Sequence, residues 1–255
     1  MSELDNKVAL VTGGASGIGK AIAEALSLNG ARVIIVDISR KKGESLAKKL
    51  SGFYYYGDLT NQIETEKICD EVLDQHGNID ILVNNAGYQK INRIEDFQID
   101  AWNSMLQLML TTPFQLTRRF LPGMKESMWG RIINMSSIHG LVASPYKSAY
   151  ISAKHGLIGL TKTTAVEVGQ FGITCNAICP AYVRTGLTER QIFDQSKLLG
   201  IEESEFIEQV ALDSAAIKIL IEPEEVANLA MFLSSGKSSK ITGSSYTIDL
   251  GWTAR

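Results

Sequence analysis

Three residues in the middle of the chain, Ser137, Tyr150 and Lys154, are of types that together could move a proton. A phenol has a pKa of about 10, which is too high for a base at neutral pH, but a neighbouring ammonium favours its ionised form. Four residues make just over one helical turn, so Tyr150 and Lys154 are expected on one face of a helix. Ser137 could bind the same substrate oxygen and stabilise charge that develops on it. The trio predicts acid–base chemistry at a hydroxyl or carbonyl oxygen, although a Tyr–Lys pair at this spacing is also frequent on helices without such a role.

A predicted strand and a predicted helix bring the trio together. Residues 131–135 are a short apolar run typical of a buried strand, and from about Ser148 onward apolar residues recur at helical spacing. Ser137 follows the strand, at the edge where open α/β sheets bind their ligands. The strand would therefore deliver a hydroxyl to the same crevice to which the helix delivers Tyr150 and its ammonium neighbour.

The whole chain alternates predicted strands with predicted helices, which implies parallel strands joined by right-handed crossovers. We count seven strands, at residues 7–12, 31–36, 53–56, 79–83, 131–135, 173–179 and 241–248. Pro113 is expected to kink or break a long helix over residues 100–126, and residues 185–219 are amphipathic without a strand pattern. The sequence therefore predicts an α/β fold: a single doubly wound, Rossmann-type domain over residues 1–255 with a seven-stranded parallel sheet.

Composition and charge limit the possible functions. The 255 residues are 45% hydrophobic and carry a net charge of −3, which favours neither nucleic acid nor an anionic membrane as a partner. No apolar run approaches the ~20 residues of a membrane span, and the polar, acidic N-terminus is unlike a targeting peptide, so a cytoplasmic protein is expected. Cys175 and Cys179 lie in an apolar segment and are expected to be buried thiols rather than a disulfide. The three histidines show no metal-ligand spacing, so no metal site is expected.

A glycine-rich stretch follows the first predicted strand and opens the first helix. Gly13, Gly17 and Gly19 would let the backbone approach a pyrophosphate, whose charge the helix N-terminus stabilises. A tight strand-to-helix turn without a ligand is the alternative. Asp37 ends the second strand, where a carboxylate binds the ribose hydroxyls of NAD and repels the extra phosphate of NADP. The cations at residues 40–42 could argue for NADP, but we interpret them as solvated charge at a helix start and predict NAD.

Together these motifs resemble the short-chain dehydrogenase/reductase family over essentially the whole chain: Thr12-Gly13-x-x-x-Gly17-Ile18-Gly19, Asn84-Asn85-Ala86-Gly87, Ser137 and Tyr150-x-x-x-Lys154. The resemblance implies that the tyrosine is the acid/base, that the lysine lowers its pKa and holds the nicotinamide ribose, and that the serine positions the substrate oxygen. The catalytic residues would be Ser137, Tyr150 and Lys154. The cofactor-binding set that it implies is Gly13, Ser16, Gly17, Ile18, Gly19, Asp37, Asp58, Leu59, Asn85, Ala86, Gly87, Tyr150, Lys154, Pro180, Val183 and Thr185.

The stretches GRIIN, HGLVAS, KSAY, AKHG, NAICP, VRT and GWTAR resemble the bacterial D-3-hydroxybutyrate dehydrogenases within that family. This resemblance implies a pocket for a small hydroxy acid, a helical lid at about 185–219 that excludes water, and a homotetramer. The substrate-binding set that it implies is Gln89, Ser137, His139, Lys147, Tyr150, Tyr182, Gln191 and Trp252. Taken singly, Lys147 could instead be an exposed loop lysine, and His139 a loop residue bonded to the backbone.

Several positions depart from the family pattern. Tyr182 stands where tryptophan is usual, Lys90 stands where histidine is typical, and Met109 is matched to the family's catalytic asparagine. A thioether cannot replace an amide in a proton relay. We expect the reversible, NAD-dependent oxidation of D-3-hydroxybutyrate to acetoacetate with Tyr150 as the acid/base. Two alternatives stay open: a dehydrogenase of another small hydroxy acid or ketone, and an NAD(H)-binding protein that has lost turnover because of Met109.

Overall fold

Seven parallel strands form one sheet in the computed structural model, which describes residues 2–254. The strand order is β3-β2-β1-β4-β5-β6-β7, and every neighbouring pair is parallel. The strands are β1 (Val8–Thr12), β2 (Arg32–Asp37), β3 (Phe53–Tyr56), β4 (Ile81–Asn84), β5 (Gly130–Met135), β6 (Ile173–Pro180) and β7 (Ser245–Ile248). The predicted α/β fold and the seven-stranded parallel sheet are confirmed.

Helices cover both faces of this sheet. They are α1 (Gly17–Leu28), α2 (Arg40–Lys49), α3 (Gln62–His76), α4 (Ile99–Leu106), α5 (Thr112–Glu126), α6 (Ser148–Val168), α7 (Gly186–Leu199), α8 (Glu203–Phe206) and α9 (Pro223–Ser234). Alternate residues of each strand pack against opposite helical layers: Val11 faces α1 and α9, whereas Leu10 faces α3 and α5. Burial on both sides explains why the strands appear in the sequence as continuous apolar runs.

The strand order places a crevice above the middle of the sheet. The chain starts at β1, proceeds outward to β3, and then returns to β4 on the other side of β1. The connections after β1 and β4 therefore diverge, and open α/β sheets bind ligands at such a switch point, beyond the carboxyl ends of the strands. The carboxyl end of β5, which Ser136 and Ser137 follow, lies at the same edge of the sheet.

The predicted break at Pro113 is a π-helical turn. Helix α4 ends at Leu106, residues Gln107–Thr111 form the turn, and α5 begins at Thr112. The N–H of Thr112 bonds to the carbonyl of Gln107, five residues earlier. A π-helical turn contains one residue more than a turn of α-helix. It lies just before Pro113 because proline has no N–H, so the regular α-helical bonds can resume only with the residues after it.

Strand β7 is shorter than predicted, and the expectation of a strand from residue 241 is wrong. Gly243 has a φ of +73°, which is incompatible with a strand. Side-chain and backbone groups contact β6 there instead. The Thr242 hydroxyl accepts the N–H of Cys175 at 3.1 Å, the Asn176 amide donates to the carbonyl of Ile241 at 2.8 Å, and Gly243 donates its N–H to the carbonyl of Cys175 at 2.8 Å.

The segment after β6 is helical, as predicted, with α7, α8 and a π-helical turn at Ile207–Ala211. The three cysteines, Cys69, Cys175 and Cys179, are free and buried, which confirms the expectation for the last two. Within residues 2–254, none of the helices combines the length and the apolar character that crossing a membrane would require.

Candidate active site

A cavity of about 780 Å³ opens at the carboxyl ends of the strands, in the crevice at the switch point. It brings together most of the residues predicted for the site. The lining members of the predicted cofactor set are Gly13, Ser16, Gly17, Ile18, Asp37, Asp58, Leu59, Asn85, Ala86, Gly87, Tyr150, Lys154, Pro180, Val183 and Thr185. The lining members of the predicted substrate set are Gln89, Ser137, His139, Tyr150, Tyr182 and Gln191. Gly19, Lys147 and Trp252 lie behind this wall.

The loop between β1 and α1 forms a cradle that side chains would fill. Gly17 has a φ of +51°, and a Cβ on it would lie 3.1 Å from the Cγ2 of Thr185 on the other side. The N-cap residue Ser16 makes no side-chain capping bond, and the first turn of α1 contains no acidic residue. The first N–H groups of α1 are therefore available to an anion such as a pyrophosphate.

Gly19 packs beneath this cradle and does not line the cavity, so its contact with the cofactor stays a prediction. A Cβ there would meet the carbonyl oxygen of Gly13 at 2.3 Å and the Asn85 amide at 2.5 Å. Only glycine permits that approach of helix to loop. Its position after Gly17 in the sequence gave no means of separating a packing glycine from a ligand-facing one.

Asp37 is held in one orientation at the end of β2. Its carboxylate accepts the N–H of Ala15 at 3.0 Å and the N–H of Ser39 at 2.8 Å. Each oxygen retains a free lone pair, and the carboxylate lies at the cavity wall. It can therefore accept further bonds from the two hydroxyls of a ribose, and its charge disfavours a phosphate in the same place.

The turn after β4 is bonded to the cradle. The Asn85 amide donates to the carbonyls of Thr12 and Gly13 at 3.0 and 3.2 Å, and the Thr12 hydroxyl accepts the N–H groups of Asn85 and Ala86. These bonds fix Gly87 above the side chain of Met109, whose Sδ lies 3.2 Å from the position of a Cβ on Gly87. The residues present thus fit a nicotinamide dinucleotide along the cavity.

Ser137, Tyr150 and Lys154 converge at the inner end of the cavity. Ser137 starts a short 3-10 turn, Ile138–Gly140, by accepting the N–H of His139 at 3.2 Å. Tyr150 lies in the first turn of α6, and Lys154 lies one turn later on the same face. The Nζ of Lys154 is 5.5 Å from the centre of the Tyr150 ring. The predicted strand-plus-helix arrangement brings these side chains together.

The pKa of Tyr150, which Lys154 is expected to lower, is governed chiefly by burial. Burial raises the pKa of Tyr150 above its ordinary value of 10.0, and the hydroxyl of Ser137 offsets part of this rise. Lys154 donates to the carbonyl of Met135 at 2.6 Å, which uses one of the three N–H groups of its ammonium. Burial also lowers the pKa of Lys154 to about 8. Loss of solvation is the largest cause of both shifts because both groups lie inside the protein.

A second lysine lies behind the cavity wall at its substrate end. Lys147 is 1% exposed, and its Nζ contacts the Nε2 of His139 at 3.1 Å and the hydroxyl of Tyr182 at 3.4 Å. Within residues 2–254, no carboxylate forms an ion pair with it. Burial lowers the pKa of Lys147 to about 8 and that of His139 to about 3. His139 is therefore neutral at pH 7 and accepts at Nε2, which leaves its proton on Nδ1.

Three further donors lie at the cavity wall or against the residues that form it. The Nε2 of Gln89 is buried without a hydrogen-bond partner at the cavity wall. The Gln191 amide contacts Gln195 at 3.4 Å and also interacts with the hydroxyl of Tyr182. Trp252 packs edge to face on His139, with 6.3 Å between ring centres, and its buried Nε1 has no partner. Trp252 thus packs against His139, and its predicted contact with the substrate stays a prediction.

The sequence left some cavity residues unassigned. Ser104 and Leu108 reach the cavity from α4 and the π-helical turn, and the Ser104 hydroxyl accepts a bond from Tyr88 at 2.9 Å. Ile38 and Ser39 continue the wall beyond Asp37. Ser104 and Leu108 were not predicted because a helix that lines a pocket with its side shows no sequence motif. Ile38 and Ser39 could have been predicted from their position next to Asp37.

Comparison with known proteins is consistent with this geometry. The model of the family described as short chain dehydrogenase matches residues 7–195. This chain belongs to the short-chain dehydrogenase family. It is 44% identical over 256 residues to a protein of Rhizobium meliloti named D-beta-hydroxybutyrate dehydrogenase, with 98% of this chain and 99% of that protein covered. A Cupriavidus necator protein of the same name is 40% identical over 257 residues, with 99% and 100% covered.

Among solved structures, that of levodione reductase matches with a TM-score of 0.91 and 29% sequence identity, and 98% of this chain and 99% of that chain are covered. The chain is therefore an oxidoreductase of the short-chain dehydrogenase family, and its family implies a nicotinamide cofactor.

Proposed function

We propose that this protein catalyses the reversible, NAD-dependent oxidation of D-3-hydroxybutyrate to acetoacetate. The observation that carries the proposal is the buried ammonium of Lys147, which has neutral partners and no ion-paired carboxylate among the described residues. A buried cation of this kind is costly unless an anion compensates it. A substrate carboxylate at this end would supply that charge. The names of the two relatives at 44% and 40% identity support the same substrate.

The size of the site supports a short substrate. The ring of Tyr150 lies 6.5 Å from the ring of His139, and His139 contacts the ammonium of Lys147 at 3.1 Å. The acid/base and the anion-binding end are thus separated by about the width of one side chain. In a 3-hydroxy acid, two carbon–carbon bonds separate the carbon that bears the hydroxyl from the carboxylate carbon. A molecule of that length fits the separation.

Tyr150, Ser137 and Lys154 would act together on the hydroxyl of the substrate. NAD, when bound, supplies the acceptor for the hydride that leaves C3. Tyr150 takes the hydroxyl proton, and Ser137 donates a hydrogen bond to the same oxygen, which stabilises the charge that develops there. Lys154 lies beside the Tyr150 ring on the same face of α6, where it would bind the nicotinamide ribose of the cofactor. Because burial raises the pKa of Tyr150, oxidation should accelerate as the pH rises and more phenolate forms.

Asp37 supports NAD over NADP, since its fixed carboxylate would repel a phosphate on the adenosine ribose. Lys42 also lines the cavity near this end, but it is exposed and free to turn to solvent. The homotetramer and the closing lid implied by the family resemblance stay predictions.

A panel of short hydroxy acids of both hands tests the proposal. The formation of NADH from NAD, or of NADPH from NADP, would be followed with the two enantiomers of 3-hydroxybutyrate, of 3-hydroxyvalerate and of the 2-hydroxy acid lactate. The highest kcat/KM is expected with D-3-hydroxybutyrate and NAD. A higher kcat/KM with another acid would establish a dehydrogenase of that acid instead. Tyr182, which lines the pocket where tryptophan is usual, is the observation that favours this second function. NADH binding without turnover of any acid would favour the reading in which Met109 has abolished activity.

A further inference from the structure

Two neutral acceptors fix the direction of the Lys147 ammonium. An ammonium has three N–H donors in a tetrahedral arrangement. One meets the Nε2 of His139 at 3.1 Å and a second meets the hydroxyl of Tyr182 at 3.4 Å. These two hydrogen bonds restrict rotation of the Lys147 ammonium about its Cε–Nζ bond. The third N–H therefore has a single direction. Both acceptors line the cavity, so they hold the ammonium directly behind its wall.

Tyr182 is itself held firmly. Its side chain is 8% exposed, and its ring centre lies 5.5 Å from the Nζ of Lys147, which adds a cation–π contact. Its backbone carbonyl accepts the N–H of Ile221 at 3.0 Å. The ring packs in one apolar cluster with Ile192 of α7 and Phe206 of α8. The hydroxyl therefore has a fixed place, and that place depends on how these two helices pack.

We propose that Tyr182 is a positioning residue, whose hydroxyl orients the Lys147 ammonium toward the carboxylate of the substrate. The inference rests on the proposed function, because it requires an anionic substrate. It assigns the phenol oxygen a role distinct from that of the ring. The ring lines the pocket and packs against α7 and α8, whereas the oxygen acts on substrate only through Lys147.

The pH dependence of substrate binding distinguishes this role from a merely structural one. Burial gives Lys147 a pKa of about 8, so the KM for an anionic substrate should rise above about pH 8 as the ammonium is lost. The phenol oxygen accepts a bond from the charged form and therefore favours it. Without that oxygen, the rise in KM should begin at a lower pH.

Tyr182→Phe is the decisive variant, because it removes the oxygen and keeps the ring. At pH 7 we expect the KM for hydroxybutyrate to rise about three-fold to ten-fold, with kcat unchanged within about two-fold, as for the loss of one hydrogen bond. The methyl ester of the same acid, which has no charge, should show no such rise. Tyr55→Phe is the matched control, since its hydroxyl bonds Gln75 and His76 at the opposite end of the sheet. It should leave both KM and its pH profile unchanged.

A double variant tests whether Tyr182 acts through Lys147. In a Lys147→Met background, Tyr182→Phe should raise KM no further, because the group that it orients is already absent. Binding of acetoacetate to the NADH complex, followed by fluorescence, gives a readout that does not need turnover. If hydroxybutyrate is not oxidised but acetoacetate binding weakens in Tyr182→Phe, the proposed function fails and the positioning role stands. Equal KM values, equal pH profiles and equal acetoacetate binding in Tyr182→Phe and the unmutated protein would overturn the inference, as would additive effects in the double variant.

Discussion

Replacing Lys147 with methionine should weaken the binding of a carboxylate substrate and, at the same pH, stabilise the folded protein. Methionine is close to lysine in length and apolar, so it can occupy the same buried space without the charge. The two effects have one cause, because the ammonium is poorly solvated in the fold and, under the proposed function, the carboxylate of the substrate compensates its charge.

The size of the stabilisation follows from the lowered pKa. Burial lowers the pKa of Lys147 from 10.5 to about 8, which corresponds to about 3 kcal/mol of penalty on the charged form at pH 7. Methionine removes this penalty but also takes a hydrogen-bond donor from His139 and from Tyr182, which costs about 1 kcal/mol. The net gain in unfolding free energy is about 2 kcal/mol, or about 4–8 °C in melting temperature for a chain of this size.

The sign of the pH dependence follows from the same values. Between about pH 8 and pH 10.5 the folded protein has lost the Lys147 proton that the unfolded chain still holds. The free energy of unfolding of the unmutated protein therefore rises as the pH passes through that window. Above the window, burial of Lys147 no longer carries the penalty of an unsolvated charge. The advantage of Lys147→Met should be largest below about pH 8 and should vanish before about pH 10.5, where only the lost hydrogen bonds, about 1 kcal/mol, distinguish the two proteins.

Steady-state kinetics and thermal unfolding at one protein concentration test both effects. The KM for hydroxybutyrate should rise about ten-fold to a hundred-fold at pH 7, as for the loss of one charge-assisted bond, while the affinity for NADH stays unchanged. A variant that melts below the unmutated protein at pH 7 and binds substrate equally well would refute the reasoning. Lys147 would then be a solvated lysine of the loop before α6.

The other predictions concern the cofactor and the proton. Asp37→Ala should narrow the preference for NAD over NADP, because it removes a carboxylate fixed by two backbone N–H groups; equal use of both cofactors by the unmutated protein would contradict this. Tyr150→Phe should abolish oxidation but leave NADH binding largely intact in a fluorescence titration, because the ring stays and only the proton carrier is lost; residual activity near that of the unmutated protein would exclude Tyr150 as the acid/base. Met109→Asn should raise kcat by about ten-fold at most, within the range of a positional effect in proton transfer. If the unmutated protein binds NADH without turnover and this variant restores activity, an amide at this position is essential.

The sheet and the cofactor cradle were predictable because each depends on local sequence. Strands buried on both faces leave apolar runs, and a loop that approaches a ligand needs glycine at fixed places such as Gly17. Tyr150 and Lys154 were predictable from helical spacing alone. The surroundings of Lys147 were not, since a lysine between Tyr146 and Ser148 resembles any loop lysine in sequence. Its burial depends on contacts with residues 8 positions before it and 35 positions after it.

The change at Pro113 shows a further limit of local reasoning. Proline indicates where a helix must change, but not whether the chain kinks, stops or takes in an extra residue. Here it takes in a residue, so the carbonyls of Leu108 and Met109, five and four residues before Pro113, both lack the N–H that this position would supply. The Met109 side chain is 1% exposed and packs beneath Gly87, so the thioether supports the turn after β4. A thioether is only a weak acceptor, so we expect a proton path at this position to use the backbone carbonyl of Met109 and to need no amide side chain.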